Sequence, residues 1–488
     1  MPTNLSSAYK KLLEKNKELT VFSTAESIVH WDMETMMPPK AVHLRSEQLA
    51  LLSQIHHKMS ISPQIGKLLD TILKHRHYEM LNEEEKRNVH LIKKNYDEQT
   101  KLPTKLVTAI AKQEALTVNT WKKAKASQNY VLFKPELEKL VSLNKQAAEI
   151  LMKVKETKTP YDALIDIYEP KTSTEAIAKT FTELQQGLQA LLAKIQKASN
   201  QPDKSILSST VSVEKQREIA KILAETLGYD DVRITTHYHP DNFASSIFSV
   251  LHETGHALYE QGLPQKWKFQ PVGTPCSMGF HESQSRLYEN MIGRSTEFWT
   301  TLFPKLKDTA APTLANLELG KFINAINAVK PSKIRVEADE VTYSLHIIIR
   351  FQIEKDLFAD KISIAELPTV WNQKYKETLG INIQNDSEGV MQDTHWASSL
   401  YGYFPTYALG NIYTGQINEA IQRSSPQWLS QLAEGNLEPV KKWLVNNVYA
   451  YGNLYDPADL IKKITGTGLT VKPYLKYLQG KYSRLYAF

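Results

Sequence analysis

Apolar residues recurring every three or four positions dominate this chain, and that spacing leaves room for little but a helical fold. "NLSSAYKKLLEKNKELTVFSTAESI" from Asn4, "HLRSEQLALLSQIHHKM" from His43, "PELEKLVSLNKQAAEILMKVKET" from Pro135 and "STEAIAKTFTELQQGLQALLAKIQKA" from Ser173 each lay an apolar stripe along one helix face. Ser6 or Ser7 is placed to cap the first of them. Between about Leu81 and Lys158, Lys and Glu surround periodic Leu, Ile and Val, the pattern of solvated amphipathic helices. Strand signals are few. "DVRITTHYH" from Asp231 alternates β-branched residues, and "KWKFQPVGT" from Lys266 reads as a hairpin or short edge strand. The prediction is one large, mainly α-helical body, 1–488, with a small β-ribbon. Two helical subdomains are expected, with a border near 199–205, where "ASNQPDKS" interrupts the helices.

Composition excludes several classes. A net charge of +6 over 488 residues, with no long basic run, is too dilute for nucleic-acid binding. One cysteine, Cys276, cannot form a disulfide within the chain and suits a reducing compartment as a small buried filler. The first residues lack the apolar core of a signal peptide, and runs such as "LHIIIRF" are far short of a membrane span. A cytoplasmic protein without membrane contact is expected.

Within "SVLHETGHALYEQG", from Ser249, two histidines stand four apart with a glutamate after the first. On a helix, His252 and His256 project from the same face, one turn apart, and Glu253 lies about 100° round from His252. Two imidazoles that bind one ion, with a carboxylate that takes a proton from water, is the arrangement of zinc-dependent peptidases. The surrounding helix, "FASSIFSVLHETGHALYEQG", is largely apolar. Buried imidazoles and carboxylates need partners, and a metal supplies them. Asp241 or Asn242 is a sensible start and Gly262 a sensible stop, while Gly255 inside the helix suggests close approach of another element.

A catalytic site keeps three protein ligands. "MGFHESQSRLYENMIGR" offers His281, Glu282 and Glu289, with Glu282 best placed at the start of an apolar-periodic helix and Glu289 a supporting partner or an exposed residue. Zn²⁺ is the expected ion, with Co²⁺ or Mn²⁺ also compatible with two histidines and a glutamate.

These residues resemble the carboxypeptidase Taq (thermostable carboxypeptidase 1) family of metallocarboxypeptidases. "HETGH" is followed by "HESQSR". "DVRIT" from Asp231 is similar to the family's D-x-R-x-T, "IRVEAD" from Ile334 to its I/V-R-x-x-A-D, and "GVMQDTHW" from Gly389 to its G-x-x-Q-D-x-H-W. "HWDMETMMPP" from His30 looks like its opening segment. The resemblance covers nearly the whole chain. It implies a helical, saddle-like body with a central groove, similar to the angiotensin-converting-enzyme and thimet-oligopeptidase group. It implies a homodimer acting on peptides with a free C-terminus, releasing single residues with broad tolerance and difficulty at proline. Carried over position by position, His252, His256 and Glu282 bind the metal and Glu253 is the catalytic base.

A free C-terminal carboxylate calls for a cation near the metal, and Arg is favoured for its fork geometry. Read as one helix, "IRVEADEVTYSLHIIIRFQIEKDL" puts Arg335, Asp339, Tyr343, His346 and Arg350 on one polar stripe, with Val336 among the apolar faces. Arg350 is a candidate for the carboxylate or a member of an internal ion network, and Arg335 reads as structural. Arg233 is a second candidate and His237 a substrate contact. The oxyanion needs a donor besides the metal. By analogy with related zinc peptidases His395 and Tyr407 are nominated, with Tyr401 and Tyr403 as alternatives and Asp393 orienting a histidine. An oligopeptidase or dipeptidyl carboxypeptidase of the same helical group, and a non-enzymatic helical binding protein, are the competing readings.

Overall fold

The computed structural model describes residues 3–229 and 233–488. Helices joined by short turns make up the body. The first helix, Thr3–Thr35, begins upstream of the serines expected to cap it, which lie inside its opening turns. Elsewhere side-chain caps fix where helices begin. Asn82 and Glu85 form a reciprocal capping box before Glu83–Lys101, as do Thr159 and Asp162 before Pro160–Tyr168. Serines 173, 212, 277 and 295 cap the helices that follow them.

No strand occurs among the described residues, so the expected β-ribbon is not found. Arg233–His239 is irregular chain, and "KWKFQPVGT" folds into two 3-10 turns, Gln265–Trp267 and Pro271–Gly273. β-branched alternation favours a pleated surface only where a second strand pairs with it. In the second segment Pro271 presets a turn, and Gly273 packs against the Trp267 carbonyl where no side chain fits. Asp231 and Val232 lie outside the described residues.

The predicted long helix from Ile334 is also two pieces: a 3-10 turn, Arg335–Glu337, and a helix, Tyr343–Phe358. Asp339 breaks it. Its Oδ1 accepts the backbone N–H groups of Val341 and Thr342, both at 3.0 Å, and its Oδ2 the Thr342 hydroxyl at 2.8 Å. A short acidic side chain has here outcompeted the helical ladder. Arg335 and Asp339 therefore do not share a helical stripe with Arg350, and Val336 is 71% exposed instead of packed.

The main core is continuous from Val118 to Tyr486, including Ile195 and Val211 on either side of 199–205. A smaller cluster joins the first helix to Pro63–Leu73 and Glu83–Lys101 through Leu5, Leu12, Leu69, Ile72 and Ile92. Among the described residues no helix is long and apolar enough to cross a membrane. Three elements of the main core position the site: the motif helix Phe243–Gly262, the shorter helix Met278–Arg286, and the helix Phe404–Ser424.

Candidate metal centre

The motif helix starts after Asn242 and ends at Gly262, both as expected, and the missing side chain of Gly262 leaves room for the Tyr449 ring. Gly255 is where it meets Met278–Arg286. A Cβ there would lie 2.7 Å from the Gln284 carbonyl oxygen and 2.7 Å from Ser285 Cα. Those are backbone atoms and cannot swing aside. Glycine at 255 thus sets the spacing between the helix that carries both imidazoles and the helix that carries Glu282. Gly255→Ala is expected to force the two apart, destabilising the protein by about 1–3 kcal/mol and loosening the metal site. Urea unfolding and metal titration against a chelator check both effects.

That spacing brings three donors together. Glu282 Oε2 lies 3.7 Å from His252 Nε2 and 3.4 Å from His256 Nε2. One ligand atom from each of the three falls within 4.8 Å of the others. Bonds of about 2.1 Å arranged tetrahedrally place neighbouring ligand atoms roughly 3.4 Å apart, so the set fits a single small divalent cation.

Each ligand is oriented from behind. Arg286 Nε donates to Glu282 Oε1 at 2.7 Å, which turns Oε2 toward the imidazoles. The Arg286 guanidinium also lies 3.8 Å from the centre of the Tyr343 ring and donates to Glu289 at 3.0 Å. Burial alone would neutralise Glu282, but Arg286 and the two histidines outweigh it and hold its pKa far below the usual carboxylate range. Glu289 stands 2.9 Å from His252 Nδ1, leaving Nε2 for a metal. It belongs to a π-helical turn, Leu287–Ile292, that continues Met278–Arg286. Burial opposes its charge too, yet Arg286 and His252 bring its pKa down to about 2. Burial lowers the His252 pKa, but the two carboxylates win and raise it. For His256 burial wins and lowers the pKa to about 4, which keeps a ligand lone pair free at neutral pH.

Glu253 is half-buried, and among the described residues no hydrogen bond or ion pair engages its carboxylate. Burial raises its pKa.

The third wall is the helix Phe404–Ser424. A Cβ on Gly410 would come within 2.5 Å of Glu282 Cγ, so this helix lies directly against the ligand. Tyr403, Tyr407 and Gly410 follow at four and three residues, which puts both tyrosines on the same side. Tyr407 Oη is 2.8 Å from His395 Nε2, and the His395 ring stacks on Phe404 at 4.3 Å. Burial, reinforced by Arg335, lowers the His395 pKa to about 3, so the ring is neutral. Among the described residues His395 Nδ1 is buried without a hydrogen-bond partner. Tyr403 is half-buried and packs edge-on against Tyr168 at 5.0 Å. Tyr401 is spent elsewhere: it is buried and its hydroxyl donates to the Trp396 carbonyl.

Arg350 does not face this site. It is fully buried. Its five N–H groups are all engaged, by Asp393, Gln392, Tyr375 and the His346 carbonyl. No donor remains for a substrate carboxylate, which corrects its nomination. Asp393 pairs with Arg350 and with Arg335, and among the described residues it orients no histidine by hydrogen bond. Arg335 stands 5.1 Å from the Tyr407 ring centre and donates to the Tyr343 hydroxyl at 3.0 Å. Arg233 and His237 are exposed. Arg233 lies 6.0 Å from the Trp31 ring centre and His237 is 6.3 Å from His239. Neither has a hydrogen bond or ion pair to the three ligands among the described residues. Cys276 is buried, as expected of a filler.

Sequence reasoning missed Arg286 and the partners of His256. Arg286 had a signal: it follows Glu282 by four residues, the helical spacing of an ion pair.

Comparison with known proteins identifies the family. The family model for carboxypeptidase Taq (M32) metallopeptidases matches residues 11–231 and 230–482. The chain is 36% identical over 501 residues to carboxypeptidase 1 of Bacillus subtilis, covering 98% of both chains. It is 36% identical to thermostable carboxypeptidase 1 of Thermus thermophilus, covering 98% of this chain and 99% of that protein. The solved M32 carboxypeptidase of Deinococcus radiodurans superposes with a TM-score of 0.91 at 32% identity, covering 99% of this chain and 100% of that one. With its fold, length and family pattern all matched, the chain belongs to the carboxypeptidase Taq family of metallopeptidases.

Proposed function

We propose that this protein releases single residues from the free C-terminus of peptides, using one Zn²⁺ held by His252, His256 and Glu282. The observation that carries the reading is the convergence of those three donors within 4.8 Å of one another, next to Glu253, whose carboxylate has no hydrogen bond or ion pair among the described residues. Bound there, a divalent cation supplies Lewis-acid polarisation of the scissile carbonyl and acidifies a water. Glu253 takes the proton of the attacking water and hands it to the leaving amine. Tyr407 donates to the carbonyl oxygen as negative charge develops on it. His395 makes that possible. A buried N–H without a partner costs more than a bare lone pair, so its unpartnered Nδ1 favours the tautomer protonated at Nε2. Nε2 then donates to Tyr407 Oη and leaves the phenolic proton for substrate.

Arg335 takes the role first given to Arg350. Its recorded partners, Asp393 and the Tyr343 hydroxyl, leave two of its five N–H groups for a terminal carboxylate. Arg233 and His237 would then touch only the more distant parts of a peptide. Two histidines and a glutamate also accept Co²⁺ or Mn²⁺. Broad tolerance with difficulty at proline, a homodimer, a cytoplasmic location and a groove like that of the angiotensin-converting-enzyme group complete the reading.

Peptides with free and with amidated C-termini separate this activity from its neighbours. Mass spectra of the free peptide over time are expected to show a ladder of single-residue losses that stops on adding a chelator, with the amidated peptide intact. Cleavage of the amidated peptide would make the enzyme an oligopeptidase, and two-residue steps a dipeptidyl carboxypeptidase.

A further inference from the structure

His281 precedes a proposed metal ligand in sequence, yet its ring lies against the other ligand helix. Its Nδ1 makes a short contact with His256 Nδ1, and its Nε2 is 2.9 Å from Glu260 Oε1. The ring is largely buried, packed 5.5 Å from the Tyr259 ring centre, whereas Glu260 is half exposed. His252, His256 and Glu260 follow one another at intervals of four along the motif helix, and His281 is wedged between the last two.

We infer that His281 and Glu260 are positioning residues that fix which nitrogen of His256 faces the metal. The argument is one of donor and acceptor matching. Glu260 accepts only, so the proton of His281 sits on Nε2. His281 Nδ1 is then a lone pair and accepts the proton of His256 Nδ1. The remaining lone pair of His256 is on Nε2, the atom 3.4 Å from Glu282 Oε2. The reverse order would set two N–H groups, or two lone pairs, against each other at the imidazole–imidazole contact. His252 gets its orientation differently, from the buried carboxylate of Glu289. The two histidine ligands are thus supported unequally: one by a carboxylate in the core, the other by an imidazole whose anchor reaches solvent.

This inference rests on the metal-site reading, and the test keeps the two apart. Zn²⁺ affinity of the full chain is measured by chelator competition, and the absorption bands of the Co²⁺ form report the coordination geometry. His281→Leu removes the acceptor; His281→Asn restores an oxygen close to the position of Nδ1; His256→Ala sets the level for a lost ligand. His281→Leu is expected to bind Zn²⁺ about 10–100-fold more weakly with altered Co²⁺ bands, and His281→Asn to recover most of the loss. Should His281→Leu fold poorly, Glu260→Ala at the exposed end carries the same expectation in weaker form, about 3–10-fold. Wild-type affinity in both His281→Leu and Glu260→Ala, or equal losses in the Leu and Asn variants, overturns the inference. Wild type binding no tighter than His256→Ala overturns the metal-site reading and the relay with it.

Discussion

Glu253→Gln is expected to lower kcat by about 10²–10⁴-fold while Zn²⁺ affinity and folding stay near wild type. Glutamine keeps the size of the side chain and loses only the ability to accept a proton. Since no hydrogen bond or ion pair engages the Glu253 carboxylate among the described residues, neutralising it orphans no partner. Burial already penalises its charged form, so the substitution removes an unfavourable term. This separates a catalytic base from a structural carboxylate. A structural one would show its loss in the melting temperature or the metal content, with activity following in proportion. Activity within tenfold of wild type at full metal occupancy would remove Glu253 from the reaction. The measurement is a steady-state assay beside a metal analysis and a thermal melt of the same sample.

Much of this could be read in the sequence, and the failures have common physical causes. The histidine pair was legible because four-residue spacing on a helix is a local fact, and because an apolar setting makes lone histidines expensive; Glu282, on a second helix, was picked out by its place at the start of an apolar-periodic segment and by the family resemblance. Gly255 was legible for the same reason: a glycine inside a helix asks for a neighbour, and the backbone at Gln284 and Ser285 is that neighbour. The β-ribbon was not, because alternation of β-branched residues says nothing about a pairing partner. The long helix from Ile334 failed at Asp339, whose side chain captured two backbone N–H groups that a helix would have used. That single break moved Arg335 off the helix of Arg350. Which arginine lies near Tyr407 is a tertiary outcome, and no periodicity carries it. The His256–His281–Glu260 relay was likewise hidden, because it joins residues on two helices.

Asp393→Asn is expected to destabilise the protein by about 3–5 kcal/mol and to lower activity with it. Asp393 lies between two guanidiniums: Oδ1 faces Arg335 at 2.9 Å and Oδ2 faces Arg350 at 2.6 Å. Both arginines are buried, and the aspartate side chain is only 9% exposed. An asparagine can offer one arginine a carbonyl oxygen, but it turns an NH₂ group toward the other and leaves two cations with no buried anion. The damage should reach the site, because Arg335 also holds the Tyr343 hydroxyl and His395 lies two residues along the chain. Burial opposes the Asp393 charge, but the arginines prevail and hold its pKa far below the ordinary aspartate value of 3.8. A carboxylate whose pKa is depressed in the folded state stabilises fully above its unfolded value and less as pH falls below it. Wild type should therefore lose stability steeply below about pH 4, and the variant should be less stable at neutral pH with a shallower acid limb. Urea unfolding from pH 3 to pH 7 measures both. Equal stability of the two proteins at pH 7 would mean that the Coulomb attraction in this cluster does no more than cancel its desolvation. The position of Arg335 beside Tyr407 would then have to come from packing on the tyrosine rings alone.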